Sequence, residues 1–249
     1  MKKMKKILFS VFLAGMAASC GKENVYSNDF SSVVFINASP GSPAVTVFID
    51  TIPQVLAGIA YRSTSDYRSV QPGGRLLEFK TTTNFVTTKR GGAESENFIA
   101  NTASSYFLYD TLTASIQNFR ILRLTDDLTV PAKGFSNVRF IPLAMKAPQV
   151  DVTFLRTSVT PNDSITFANK AYVGDAPSAD ALKTLSAFTP VPLGTYTVKL
   201  KAAGTQNILA TSASTVLSGT TGLTGIFTFY SVGTAVGQPL AVSSFRHYP

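Results

Sequence analysis

The chain has no tryptophan, one cysteine, one histidine and only 14% charged residues among its 249. A lone cysteine rules out an intrachain disulfide. Together with the lone His247 it also rules out a structural zinc site, which needs several Cys or His ligands. No EF-hand pattern surrounds the only adjacent acidic pair, Asp126-Asp127, so that pair reads as a solvated turn rather than a calcium loop. Nowhere is there an apolar run of the roughly 20 residues that a spanning helix requires. The formal charge is +8, but Lys2, Lys3, Lys5 and Lys6 supply half of it, and without residues 1–19 it falls to +4. The remaining bases are scattered rather than striped, so nucleic acid is not an expected partner.

What is present is Thr, Ser, Val and Phe, with 17 Gly and 13 Pro. This composition favours strands joined by tight turns. At the N-terminus four lysines precede an apolar stretch, Ile7 to Met16, and then small residues Ala17-Ala18-Ser19 before Cys20. The segment resembles a lipoprotein signal peptide, although Ala17 stands where that family usually has Leu. The resemblance implies cleavage before Cys20 and a diacylglyceryl thioether on its sulfur. Each buried methylene contributes roughly 0.8 kcal/mol, and two chains suffice for stable anchoring. The expected address is the cell envelope, on the outer membrane, with the periplasmic and surface faces both open. Lys22-Glu23 is a weak version of a Bacteroidetes-type surface-export tag.

The rest of the chain repeats itself. Val34-Phe35-Ile36 matches Arg139-Phe140-Ile141, and Val45 to Asp50 matches Val150 to Leu155, both at an offset of 105 residues. Beyond that the offset becomes 121: Tyr67 to Val70 meets Phe188 to Val191, Leu77 to Lys80 meets Val198 to Lys201, Tyr106 to Tyr109 meets Phe227 to Tyr230, and Phe119 to Ile121 meets Leu240 to Val242. The difference is a 16-residue insertion within about 156–187. Tyr196 to Lys201 alternates apolar with polar, the period of two of a half-buried strand. Gln71-Pro72-Gly73-Gly74 and Pro192-Leu193-Gly194 carry turn chemistry. The pattern predicts an all-β chain of two tandem antiparallel immunoglobulin-like β-sandwiches. Their expected bounds are 1–19 signal peptide, 20–31 lipidated tether, 32–130 first sandwich and 131–249 second sandwich, joined at Pro131-Ala132-Lys133-Gly134. Within the insertion, Ser178 to Lys183 predicts one helical turn capped by Ser178.

Asn37 to Asp50, Asn-Ala-Ser-Pro-Gly-Ser-Pro-Ala-Val-Thr-Val-Phe-Ile-Asp, resembles the opening motif of the family known as domain of unknown function 4397. Pro192 to Val198 is similar to its second marker. Asn37 replaces the family's usual His. The resemblance implies an extracytoplasmic β-sandwich, often in tandem, and carries no established activity.

Catalytic chemistry finds little support in the residues. A Ser–His–Asp arrangement would have to use His247, which no nucleophile motif accompanies and which reads as a polar residue on a terminal strand or tail. Glu94 and Glu96 sit in what reads as a mobile hairpin tip, a poor setting for the burial that raises a carboxyl pKa. Gly91-Gly92 lacks the Gly-Lys-Ser/Thr ending of a phosphate loop. The aromatics Tyr67, Tyr106, Phe107, Tyr109, Phe227, Phe229 and Tyr230 recur in both copies at strand spacing, as core packing requires; Tyr61 falls outside the match. The expectation is a non-enzymatic envelope lipoprotein without cofactor or metal, binding a protein or glycan through loops held on a rigid scaffold. Candidate contacts are Ser39, Gly41, Ser42, Tyr61, Lys89, Arg90, Glu94 and Glu96, with the insertion as a further candidate loop and Cys20 as the lipidation site. The alternative is a structural subunit of a surface or fimbria-like assembly joined by strand addition.

Overall fold

The computed structural model describes residues 29–81, 96–110, 120–219, 225–234 and 237–247. It is mostly β. The first half contributes β1 (Ser31–Asn37), β2 (Val45–Ile49), β3 (Ile52–Ile59), β4 (Arg68–Val70), β5 (Gly73–Arg75), β6 (Leu77–Thr81), β7 (Glu96–Phe98), β8 (Ala103–Tyr109) and β9 (Arg120–Asp126). The second contributes β10 (Phe135–Pro142), β11 (Val150–Arg156), β12 (Asp163–Lys170), α1 (Ala179–Ser186), β13 (Thr189–Pro192), β14 (Gly194–Ala202), β15 (Ile208–Thr211), β16 (Thr215–Leu217), β17 (Ile226–Val232) and β18 (Ala241–Arg246). Residues 127–134 join the halves.

Strand order repeats from half to half. One sheet runs β4-β1-β8-β9 and its counterpart β13-β10-β17-β18; the opposing sheets run β3-β2-β6 and β12-β11-β14-β15. Two details depart from the sequence reading. β1 pairs with β8, and β10 with β17, in parallel, so these sheets are mixed rather than antiparallel throughout. Parallel neighbours need a long crossover, which the strands of the opposing sheet supply. The second departure is register: Val33 faces Ser104 while Val138 faces Phe227. The counterpart of Tyr106 is therefore Phe229 and not Phe227. A two-residue error preserves which face a side chain points to, so the apolar pattern could not expose it.

Three apolar clusters hold these layers. Val33 and Phe35 of β1, Val45, Val47 and Ile49 of β2, Phe79 of β6 and Tyr106 and Leu108 of β8 fill the first half. Phe140, Val152, Phe154, Val198, Leu200 and Phe229 do the same in the second, where the Phe154 ring meets Phe229 edge-on at 4.9 Å. The third cluster lies between the halves. Val34, Ile36, Phe107, Tyr109, Leu122 and Leu124, on the opposite face of β1, β8 and β9, pack against Ile141, Leu143, Tyr230 and Val232. Two sheets are thus buried on both faces. That is why β8 and β17 read as continuous apolar runs, whereas β14, buried on one face, alternates.

The insertion is divided between two places. Residues 157–162 replace the two-residue turn Asp50-Thr51, and 171–188 replace the shorter link 60–67. The helix within it runs two turns rather than one, and Ser178 caps it by accepting a hydrogen bond from the Ala181 amide at 3.2 Å. Leu182 and Leu185 of α1 pack on the cluster between the halves, as do Tyr172 and Val173. The Tyr109 hydroxyl donates to the Gly174 carbonyl at 2.9 Å, and Arg120 reaches the Asp175 carboxylate at 3.0 Å. The insertion packs as a clamp on the first half.

Truncating Phe154 to Ala should lower stability by about 3–5 kcal/mol, the usual cost of deleting a buried phenyl ring. A shift in the denaturant midpoint without a change in slope checks it.

Candidate functional site

At the boundary of the halves the chain buries charge. Asp126 ends β9 and Arg139 sits mid-way along β10; their side chains are 0% and 1% exposed, and Arg139 Nη2 donates to Asp126 Oδ1 at 2.6 Å. Three further guanidinium N–H groups are also engaged: Nη2 on Ser105 Oγ at 3.1 Å, Nη1 on the Thr125 carbonyl at 3.1 Å and Nε on Thr228 Oγ1 at 2.9 Å. The Phe188 ring covers the guanidinium at 4.5 Å. Ser105 Oγ donates to both Asp126 oxygens, at 3.0 and 2.8 Å, and Tyr67 Oη donates to Oδ2 at 2.9 Å.

His247 completes the ring. Its Nε2 lies 2.8 Å from Thr228 Oγ1 and its Nδ1 2.5 Å from Tyr67 Oη. Thr228 accepts from Arg139 and so donates to Nε2; Tyr67 donates to Asp126 and so accepts from Nδ1–H. One neutral tautomer satisfies every partner, an assignment that follows from the network. Burial drives the imidazole pKa down to about 4, the Asp126 carboxylate opposing and Arg139 reinforcing the shift. Burial, then the Asp126 carboxylate, push the Tyr67 hydroxyl far above its usual range. Tyr67, Ser105 and Asp126 come from the first half, and Arg139, Thr228 and His247 from the second.

One sequence reading is thereby corrected and another extended. Asp126 is not a solvated turn residue; Asp127 alone remains at the surface, accepting from the Thr129 amide at 3.0 Å. His247 does follow the terminal strand β18, but it is fully buried. The overlooked signal is Arg139 itself. A cation inside Val138-Arg139-Phe140-Ile141, an otherwise apolar strand, must find a buried acid.

The candidate contacts fare differently. Ser39 is buried and its hydroxyl donates to the Asp110 carbonyl at 2.6 Å. Asn37, at the position of the family's His, donates to the Ile59 carbonyl at 3.0 Å and to Pro43 O and Ser42 Oγ at 3.3 and 3.4 Å, and accepts from the Ser39 amide at 3.2 Å. Ser42 is buried in the same network. These side chains shape their own loop and do not face a ligand; Gly41 alone at its tip is exposed. Tyr61 is half-buried against the cluster between the halves, beside Arg62, whose guanidinium reaches Ser243 Oγ at 2.8 Å. It is not a free platform. Glu96 opens β7 instead of lying on a hairpin tip, and accepts from Arg123 Nη1 at 3.1 Å. Cys20, Lys89, Arg90 and Glu94 lie outside the described residues.

A groove of about 510 Å3 does remain open, lined by Ile99, Arg123, Thr125, Leu182, Lys183 and Ser186. The first half supplies one wall through β9 and the residue after β7, and α1 supplies the other. Among the described residues no three His, Cys, Asp or Glu side chains gather as a metal site, and no helix is long and apolar enough to cross a membrane.

Arg139→Ala should cost about 3–5 kcal/mol, because it strands the Asp126 carboxylate in a dry site. An Arg139→Met, Asp126→Leu double variant should recover most of that loss in the same denaturant titration.

No curated protein matches the chain. Solved structures that match include a leucine-rich repeat protein from Bacteroides thetaiotaomicron, 10% identical, with a TM-score of 0.21. The match covers 86% of this chain and 27% of that one, and at that score it carries no argument about fold or function. Residues 31–153, which run from β1 into β11, match the family described as Domain of unknown function (DUF4397).

Proposed function

We propose that this protein is a non-enzymatic, lipid-anchored binding protein of the cell envelope, built from tandem copies of one immunoglobulin-like sandwich and held to the outer membrane through Cys20. The repeated strand order supports the tandem reading. The sole histidine supports the non-enzymatic one: both ring nitrogens are spent on Tyr67 and Thr228, which leaves no accessible imidazole base.

The observation that carries the binding reading is the groove between β9 and α1. Arg123 is held there by Glu96, but Lys183 has no ion-pair partner among the described residues, and Ile99 and Leu182 offer apolar contact beside it. A cation, two aliphatic side chains and two hydroxyls suit an acidic glycan or an acidic protein segment.

Two experiments test the proposal. Radiolabelled palmitate should enter the wild-type chain and not a Cys20→Ala variant; equal labelling of both defeats the anchor. On an array of neutral and acidic polysaccharides and peptides, the chain should bind acidic members in a salt-sensitive way. A Lys183→Glu, Ile99→Asp variant should then bind at least tenfold more weakly. Binding that the double variant leaves untouched would remove the groove from consideration.

The assembly reading has one observation in its favour. Among the described residues β3 is the edge strand of its sheet and exposes Ile52 at 63% and Leu56 at 79%, whereas the corresponding edge β12 bears Asp163, Thr166, Asn169 and Lys170. Unprotected apolar edges invite strand addition, but Pro53 within β3 lacks an amide donor. Leu56→Lys should abolish any concentration-dependent polymer seen by light scattering.

A further inference from the structure

We propose that the buried ring of Tyr67, Asp126, Arg139, Thr228 and His247 is an acid-sensitive latch, which holds the two halves together while His247 is neutral and releases them when it is protonated.

The geometry supports this in three ways. First, the ring crosses the boundary. Every hydrogen bond from His247 to Tyr67, and from Arg139 to Asp126 and Ser105, joins one half to the other. Second, the ring has one self-consistent set of donors and acceptors. Protonated Nε2 must donate to Thr228 Oγ1, which already accepts from Arg139 Nε at 2.9 Å. The threonine proton then has no acceptor, and two cations share one oxygen.

The groups facing the imidazole are Tyr67 from the segment before β4, Asp126 from β9, Arg139 from β10, Phe188 from the segment before β13, Thr228 from β17 and Phe245 from β18. Only Asp126 and Arg139 are charged, and they neutralise each other. Asp126 Oδ2, at 3.8 Å from Nδ1, is already occupied by Tyr67 and Ser105. An added proton therefore leaves net positive charge in a buried site.

Third, the ring has a route to solvent. Tyr67 lines a cavity of about 200 Å3 with Val34, Thr64, Ser65, Asp66, Phe245 and Arg246 at the seam of the halves.

The direction of the pH response follows. With the halves docked, His247 titrates at about 4, against 6.5 when it is free in solvent. The open state therefore binds the extra proton between these values, and docking, complete above about pH 6.5, weakens as pH falls towards 4. The opening equilibrium should rise by roughly 80-fold over that interval and approach a limit of about 300-fold below pH 4. Each half keeps its own core, so the outer sheets are not required to melt.

The single histidine makes the test specific, since a tag-free full chain in detergent gives one imidazole signal by NMR. That signal should stay neutral to well below pH 6.5. As it protonates, amide exchange in β8 and β17, corrected for intrinsic rates, should accelerate while β2 and β14 stay protected. An imidazole that titrates near 6.5 with β8 and β17 still protected would overturn the latch. So would simultaneous loss of protection in all four strands, which is global acid unfolding. His247→Gln keeps a neutral hydrogen-bonding side chain and should flatten the response; a response equal to the parent's also overturns the proposal. Should that variant not fold, the imidazole titration of the parent decides alone.

Discussion

A guanidinium and a carboxylate enclosed between two β layers govern how this chain is arranged. Arg139 and Asp126 are separated from water on all sides, and taking such a pair out of solvent costs several kcal/mol per ion before their attraction is counted. The cost is offset because Ser105, Thr125, Thr228 and Tyr67 supply further donors and acceptors. Neither half supplies all of those partners by itself. The halves must dock in one register, and the polar ring fixes which one. Around it, Phe107, Tyr109, Leu122, Tyr230 and Val232 add the non-directional apolar burial.

Docking alters what the individual strands must be. A sheet with one face on its own core and the other on a neighbour cannot alternate, which accounts for Val33-Val34-Phe35-Ile36 and Ile226-Phe227-Thr228-Phe229-Tyr230. It also gives the insertion a purpose. Tyr172, Val173, Leu182 and Leu185 extend the second half across the seam, and Gly174 and Asp175 meet Tyr109 and Arg120 on the other side. The same docking creates the groove between β9 and α1, since neither half has both of its walls. A surface available to a ligand and a buried ring sensitive to protons are thus two products of one interface.

The loop at Ser39–Pro43 shows why sequence motifs mislead about exposure. Short polar residues between strands suggest a ligand loop, yet Asn37 turns inward and gathers Ser39, Ser42 and Pro43 around its amide. Small polar side chains that can satisfy backbone groups serve turns as readily as they serve partners. The composition of the loop is the same in both cases; only the direction of Asn37 separates them.

Local chemistry was sufficient to read the strand-rich class, the repeated strand pattern and the Ser178 cap, because periodicity, turn residues and capping act between near neighbours in the chain. Offsets between the halves were legible too, apart from β17, where a shift of two residues leaves the facing pattern unchanged. What required the tertiary structure was everything assembled across the seam: the burial of His247 and Asp126, the clamp formed by the insertion, and the groove lined by Ile99 and Lys183. Those features join residues such as Tyr67 and His247, far apart in the chain. Nothing in the surroundings of either along the sequence specifies the other, since their contact exists only once two separately formed sheets have packed face to face.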